Sequence, residues 1–222
     1  MEKPKIVVFA SGSATSGGSG FENLVEATKT GVLDAEIVAV VSNHEQGGVA
    51  GRGKKLGVPF IYFPAPWDAE HYQKIVADSG AEWVALSGWL KKMSGLDPAK
   101  TFNIHPALLS HLGGRFGGPG MYGHRVHEAV SDAAEKGEIP DSGLTMHFVT
   151  DRYDRGPAFF EYHMPLIPGM TADEIAAAVN VAEHEWQPKI TNMVVHREIR
   201  WDGKDEHSLV VPEGYEYLPE QG

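Results

Sequence analysis

The sequence predicts an α/β protein, a doubly wound, mostly parallel sheet flanked by helices. Three observations carry that expectation. Apolar, largely β-branched runs at residues 6–10, 35–42, 59–63 and 83–86 are bounded by Gly, Pro or Ser and have the length of buried strands. The segments between them, starting near Phe21 and covering residues 49–56 and 69–79, have the apolar spacing of helices. At 222 residues and 42% hydrophobic content the chain can bury one core of ordinary size, so a single domain over 1–222 is expected. Strands and helices alternating in this way build βαβ units, and ligands then sit at the carboxyl ends of the strands.

Each element has its local reason. Residues 6–10 form the first strand, and the ten residues that follow, Ser11 to Gly20, are almost entirely Gly, Ser, Ala and Thr. They lead into a helix with Leu24, Val25 and Ala27 on one face. A glycine-rich turn entering a helix exposes backbone N–H groups at the positive end of the helix dipole, which favours an anion. It lacks the Lys-Ser/Thr ending of a nucleoside-triphosphate loop, and Gly18-Ser19-Gly20-Phe21 does not complete a dinucleotide pattern. Read from composition alone it is equally a flexible linker. After the fourth strand comes Ser87-Gly88-Trp89-Leu90-Lys91-Lys92-Met93, whose large apolar residues are ordinarily core.

The segment from Thr101 to Leu109 is a short buried strand that ends at Pro106, since proline cannot donate to a ladder. Alternation puts Asn103 and His105 on one face, an amide donor beside an imidazole, about 7 Å apart along the backbone. A lone Asn-x-His is usually a satisfied buried pair. Residues 111–123, which hold six glycines and one proline in 13 residues, read as a flexible, mobile lid or substrate loop. His124 and His127 then open a helix that runs to about Lys136 and stops at Gly137. No third ligand at a suitable spacing accompanies these histidines, so no metal is expected.

Residues 143–150 and 158–165 read as two more strands, joined by a loop carrying Thr150, Asp151, Tyr153 and Asp154. Thr171 with Glu174 is a capping box opening a long helix, expected to bend or restart at Pro188. Residues 198–201 and 208–211 around Asp202-Gly203 suggest a terminal hairpin, and the tail from Pro212 carries no readable function.

Charge and composition narrow the function. A net charge of −11 argues against nucleic acid or an anionic membrane as partner. The absence of cysteine removes disulfides, thiolate metal sites and a cysteine nucleophile. The opening apolar run is too short for a signal peptide or a membrane span, so a cytoplasmic setting is expected. Small-molecule substrates and a monomer or homodimer are separate expectations.

The motif Asn103-Ile104-His105-Pro106-Ala107-Leu108-Leu109, followed at a distance by His147 to Pro157 with Asp154 before Gly156-Pro157, resembles the folate-dependent formyltransferase family. The similarity extends from Lys5 to about Pro188 and implies a Rossmann-like fold. It also implies transfer of a formyl group from 10-formyltetrahydrofolate to the amine of glycinamide ribonucleotide, in purine biosynthesis and without a metal. By that resemblance Asn103, His105 and Asp154 are catalytic. Gly18, Ser19 and Gly20 hold the substrate phosphate, and Glu183 contacts its ribose. Trp89, Leu90, Lys91, Lys92, Met93, Thr150, Asp151 and Tyr153 bind the folate. Residues 1–100 then form a phosphate-binding half and 101–200 a catalytic, folate-binding half. Two departures stand out: the first loop is longer than is usual, and Gly20 replaces the family's asparagine. No appended domain of the kind found in tRNA formyltransferases or formyl-folate hydrolases is evident. A sugar-nucleotide or other amine N-formyltransferase, and a folate- or nucleotide-binding module without turnover, remain as alternatives.

Overall fold

The structure is a computed structural model that describes residues 2–219. Seven strands form one sheet: β1 (Lys5–Phe9), β2 (Glu36–Ser42), β3 (Phe60–Tyr62), β4 (Trp83–Ser87), β5 (Thr101–His105), β6 (Asp141–Phe148) and β7 (Ala158–Pro165). Their order is β3-β2-β1-β4-β5-β6-β7. The first five pair parallel, and β6 and β7 add to β5 antiparallel. The helices are α1 (Ser19–Thr30), α2 (Gly48–Leu56), α3 (Ala69–Ser79), α4 (His124–Glu135) and α5 (Ala172–Val195).

The central strand explains the continuous apolar runs. Ile6, Val7, Val8 and Phe9 are all fully buried, because β1 is covered on both faces. Ile6 and Val8 join the larger core, with Phe21 and Leu24 of α1 and Val179, Ile190 and Val194 of α5. Val7 and Phe9 join a smaller core on the opposite face, with Phe63, Tyr72, Trp89 and Met93. The strand order changes direction beside β1, where β2 lies on one side and β4 on the other. That is the switch point at which open sheets of this class leave a crevice.

Three local expectations are corrected. Strand β6 begins at Asp141 rather than at residue 143 and ends at Phe148, because the ladder to β7 extends to the pair Asp141 and Pro165. The terminal hairpin is reduced to a single bridge between Arg200 and Val210. Side chains take the place of further ladder bonds there: Asp202 accepts the amides of Lys204 and Asp205, and Ser208 Oγ donates to the Asp205 carbonyl. The third concerns Pro188, which lies inside α5 without restarting it. A proline leaves the carbonyl four residues earlier without its helical donor. Here that carbonyl belongs to His184, and Asn23 Nδ2 of α1 donates to it at 2.7 Å. The helix continues because a side chain from another element replaces the missing bond.

Candidate functional site

A cleft of about 800 Å³ opens at the carboxyl ends of β1, β4 and β5. Its walls are the turn before α1, residues 87–90, residues 103–106, the glycine-rich segment 118–124 and the inner face of α5.

Strand β5 supplies the polar floor. Asn103 and His105 share a face as alternation requires, and the antiparallel partner β6 places His147 opposite Asn103 and Thr145 opposite His105. His147 is held by its own neighbour: its Nδ1–H donates to the Phe148 carbonyl at 2.8 Å. That leaves Nε2 to accept from Asn103 Nδ2 at 3.1 Å, which fixes the rotamer of the amide. His105 Nε2–H donates to the Phe116 carbonyl at 2.7 Å. In the neutral ring the lone pair is therefore on Nδ1, the atom 4.0 Å from Asp154 Oδ2.

Asp154 reaches this floor from the loop between β6 and β7. Its backbone is in the left-handed region at φ 47°, a conformation that aspartate tolerates better than most residues. One carboxylate oxygen accepts the Gly118 amide at 2.8 Å, and the other lies 3.4 Å from His147 Nε2. A Cβ on Gly117 would stand 3.1 Å from the Asp154 Cβ and 2.4 Å from Leu109 Cδ2. The glycines at this point thus permit close approach of two loops, which are zipped together rather than loose.

Protonation follows from burial and neighbours. Burial pulls the His105 imidazole below its ordinary value and Asp154 offsets only part of the effect, so the ring is neutral at neutral pH. Burial works to raise the Asp154 carboxyl, but the contacts with His147, His105 and the Gly118 amide outweigh it and hold the group down at about 2. A neutral base therefore faces an ionised carboxylate.

At the other end of the cleft lies the turn Gly18-Ser19-Gly20. Gly18 caps α1 at φ 84°, and no side chain bonds to the first turn, leaving its amides free for an anion. A Cβ on Gly20 would lie 2.2 Å from Ser87 Oγ and 3.1 Å from Gln187 Oε1, so an asparagine would meet a wall already occupied. The extra length of the loop folds on itself: Ser13 N donates to the Ser16 carbonyl at 2.8 Å, and Arg52 Nη1 holds the Gly17 carbonyl at 2.6 Å.

From α5 the half-buried Glu183 faces the cleft with no Lys or Arg nitrogen within 4.0 Å among the described residues, and burial pushes its carboxyl up to about 7. Its neighbour Gln187 is buried. On α4, His127 lines the same cleft. Its Nδ1 is buried without a partner, and burial pushes the ring down to about 4. His124 is half exposed beside Glu128 and Asp173 and does not share a metal-ligand cluster with His127.

The expected folate-binding residues are divided. Leu90 and Tyr153 line the cleft with substantial exposure, and Trp89 reaches its wall while packing against Phe9, Phe63 and Tyr72. Lys91, Lys92, Met93, Thr150 and Asp151 do not line it. Met93 is core, and Lys91 Nζ lies 4.4 Å over the Trp67 ring. The physical reason is the turn at Gly88, φ 75°, together with the Leu90 amide bond to Ser11 Oγ, which sends the chain away after Leu90.

Sequence reasoning assigned no role to His147, Asn180 and Gln187, which are near the reacting groups or line the cleft. Alternation along β6 is a signal for His147, since it puts residues 145 and 147 on one face, but only the register places that face opposite Asn103.

Known proteins resemble this chain in sequence and in overall fold. A family model described as Formyl transferase matches residues 4–191. The chain is 31% identical over 210 residues to phosphoribosylglycinamide formyltransferase, chloroplastic, of Arabidopsis thaliana, covering 90% of this chain and 68% of the relative. It is 32% identical over 215 residues to the protein of the same name from Vigna unguiculata, with 90% and 64% covered. The chain thus spans about two thirds of the length of these relatives. Among solved structures, phosphoribosylglycinamide formyltransferase from Anaplasma phagocytophilum superposes with a TM-score of 0.77 at 23% identity, 97% of each chain being covered. The enzyme of that name from Brucella melitensis gives 0.70 at 26% identity, covering 87% of this chain and 96% of the other.

Proposed function

The chain belongs to the formyl transferase family, and on that premise we propose that it transfers the formyl group of 10-formyltetrahydrofolate to the amine of glycinamide ribonucleotide, a step of purine biosynthesis. The observation that carries the proposal is the meeting of Asn103, His105, His147 and Asp154 on the floor of a cleft whose far end is an uncapped glycine turn. The residues suit both substrates. The free amides of Ser19, Gly20 and Phe21 fit a monophosphate, Glu183 and Asn180 offer groups for ribose hydroxyls, and Leu90, Ile104 and Met121 give apolar walls for a flat ring.

Bound 10-formyltetrahydrofolate supplies the electrophilic formyl carbon. Asn103 uses one N–H to hold His147 Nε2 and keeps the second for the formyl oxygen as negative charge develops on it. His105 accepts the amine proton at Nδ1 and returns it to the departing folate nitrogen, so the proton count balances. Asp154, ionised 4.0 Å away, stabilises the imidazolium while it exists. Residues 118–123 line the cleft with these groups, a position from which they restrict water.

This assigns His105 a neutral resting state, in contrast to the resting imidazolium that an Asp partner alone suggests. The same proposal includes small-molecule partners only, a monomer or homodimer, and a cytoplasmic setting; the plant relatives are named as chloroplastic. Among the described residues no helix is long and apolar enough to cross a membrane.

Asn103→Ala tests the proposal. Loss of one oxyanion donor lowers turnover by about 100 to 1,000-fold, with both Michaelis constants little changed. Turnover within tenfold of the parent enzyme removes Asn103 from the mechanism and the proposal with it.

A further inference from the structure

A second group of chemically capable side chains lies outside the cleft. Asp141 opens β6, His163 lies on the edge strand β7, and His111 follows β5 in a short turn. One ligand atom from each lies within 4.8 Å of the others, the one such His/Asp/Glu group among the described residues. Asp141 Oδ2 is 2.7 Å from His163 Nδ1. Asp141 Oδ1 is 3.1 Å from His111 Nε2, yet it is buried with no hydrogen-bond partner. The two atoms are near each other but misaligned for a hydrogen bond, as expected of two groups turned toward a common point. The imidazole rings stand 6.0 Å apart at 69°, so neither stacks on the other.

The surroundings call for a cation. Glu161 is buried on β7, and neither it nor Asp141 has a Lys or Arg nitrogen within 4.0 Å among the described residues. Glu161 accepts from the Ser110 amide at 3.0 Å, from Ser110 Oγ at 2.6 Å and from Thr145 Oγ1 at 2.9 Å, and it faces His163 Nε2 at 3.8 Å. One carboxylate thereby braces the residue before His111 and puts negative charge near the outer nitrogen of His163. Carboxylates stand behind metal-bound imidazoles in this way.

We propose that His111, Asp141 and His163 bind a divalent transition-metal ion of the zinc class, with a fourth position open to solvent beside the half-exposed His163. Two imidazole nitrogens and one carboxylate oxygen match zinc, whose bonds to them are about 2.0–2.2 Å; ligand atoms around such an ion lie roughly 3.3 Å apart. Two of the separations, 2.7 and 3.1 Å, are somewhat shorter than that spacing and the third is within 4.8 Å, so modest side-chain rotation completes the site. The nitrogen ligands disfavour calcium and magnesium. None of the three residues lines the cleft, so the ion is no participant in formyl transfer, and the proposal stands apart from the function proposed above. An ion here ties the root of the glycine-rich segment to the β6–β7 edge.

The test is calorimetric titration of chelator-treated full-length protein with Zn²⁺, with Co²⁺ absorption as a second probe of geometry. Wild type is expected to take up one equivalent. His163→Gln and Asp141→Asn weaken that uptake by at least the roughly 10- to 100-fold that loss of an outer partner of a metal site costs, while His207→Ala, an exposed histidine elsewhere, leaves it unchanged. If His111→Ala fails to fold, His163→Gln at the sheet edge still decides the matter. Absence of saturable one-equivalent uptake, or uptake undiminished in His163→Gln, overturns the proposal.

Discussion

Replacing Asp154 by Asn removes one negative charge and little else. The shape is nearly conserved, and the new amide oxygen can still accept from the Gly118 amide, so the two loops remain joined. What disappears is the attraction between the carboxylate and an imidazolium on His105, across 4.0 Å. Two unit charges at that separation interact by about 4 kcal/mol at an effective dielectric constant of about 20. That corresponds to about three pKa units, or a factor of about 1,000 in rate if the imidazolium is fully formed in the transition state. Burial already holds His105 low, and the variant lowers it further, making the ring a weaker base. Single-turnover rates across pH, with an NMR titration of His105, measure both effects. The double variant Asp154→Asn, His105→Ala is expected to be hardly slower than the worse single variant, because the two act as one unit. A turnover within tenfold of wild type, multiplicative losses, or an unmoved His105 titration refutes the coupling.

Glu183→Gln separates function from stability. The folded carboxyl titrates near 7, above its ordinary 4.5, so its favourable contribution is complete below about pH 4.5 and is lost as pH rises through 7. The variant is therefore expected to match wild type at pH 4 and to exceed it by up to about 3 kcal/mol at pH 8 in urea melts, while the acceptor Michaelis constant rises. Asn23→Ala leaves the His184 carbonyl without its donor and costs about 1–3 kcal/mol, read as a fall in Tm of about 2–4 °C per kcal/mol; an unchanged melt shows that the carbonyl needs no substitute donor. Gly18→Val strains a left-handed cap and brings a side chain against Val49, so the acceptor Michaelis constant should rise while that for folate holds. Equal losses for both substrates argue against a phosphate site there.

The parts of this molecule legible in its sequence are those set by neighbouring residues. The buried strands follow from continuous β-branched runs, and the shared face of Asn103 and His105 follows from alternation. Asp154 was visible only through the family resemblance, because nothing local says which carboxylate of its loop turns inward; the answer depends on a left-handed backbone at residue 154 and on the Gly118 amide. His147 became a neighbour of Asn103 through strand register, a non-local property. The Pro188 break was expected from a sound local rule, but Asn23, 161 residues from His184 in sequence, supplies the donor that overrides it. Composition marked residues 111–123 as mobile. At Gly114 and Gly117, however, the glycine makes room for Arg155 and Asp154, which composition does not reveal. Likewise Met93 resembled a ring-binding residue by position and became core because the chain turns away after Leu90.

The most direct test of the central claim is a comparison of acceptors with one donor. Purified enzyme and 10-formyltetrahydrofolate are mixed with glycinamide ribonucleotide or with amino-sugar nucleotides, and formylated product and released tetrahydrofolate are quantified together. Stoichiometric formyl transfer to glycinamide ribonucleotide is expected, with kcat/KM far above that for every sugar amine and a rate suppressed by competing phosphate-bearing analogues. Preferential formylation of a sugar amine, or release of tetrahydrofolate without a formylated amine, contradicts it.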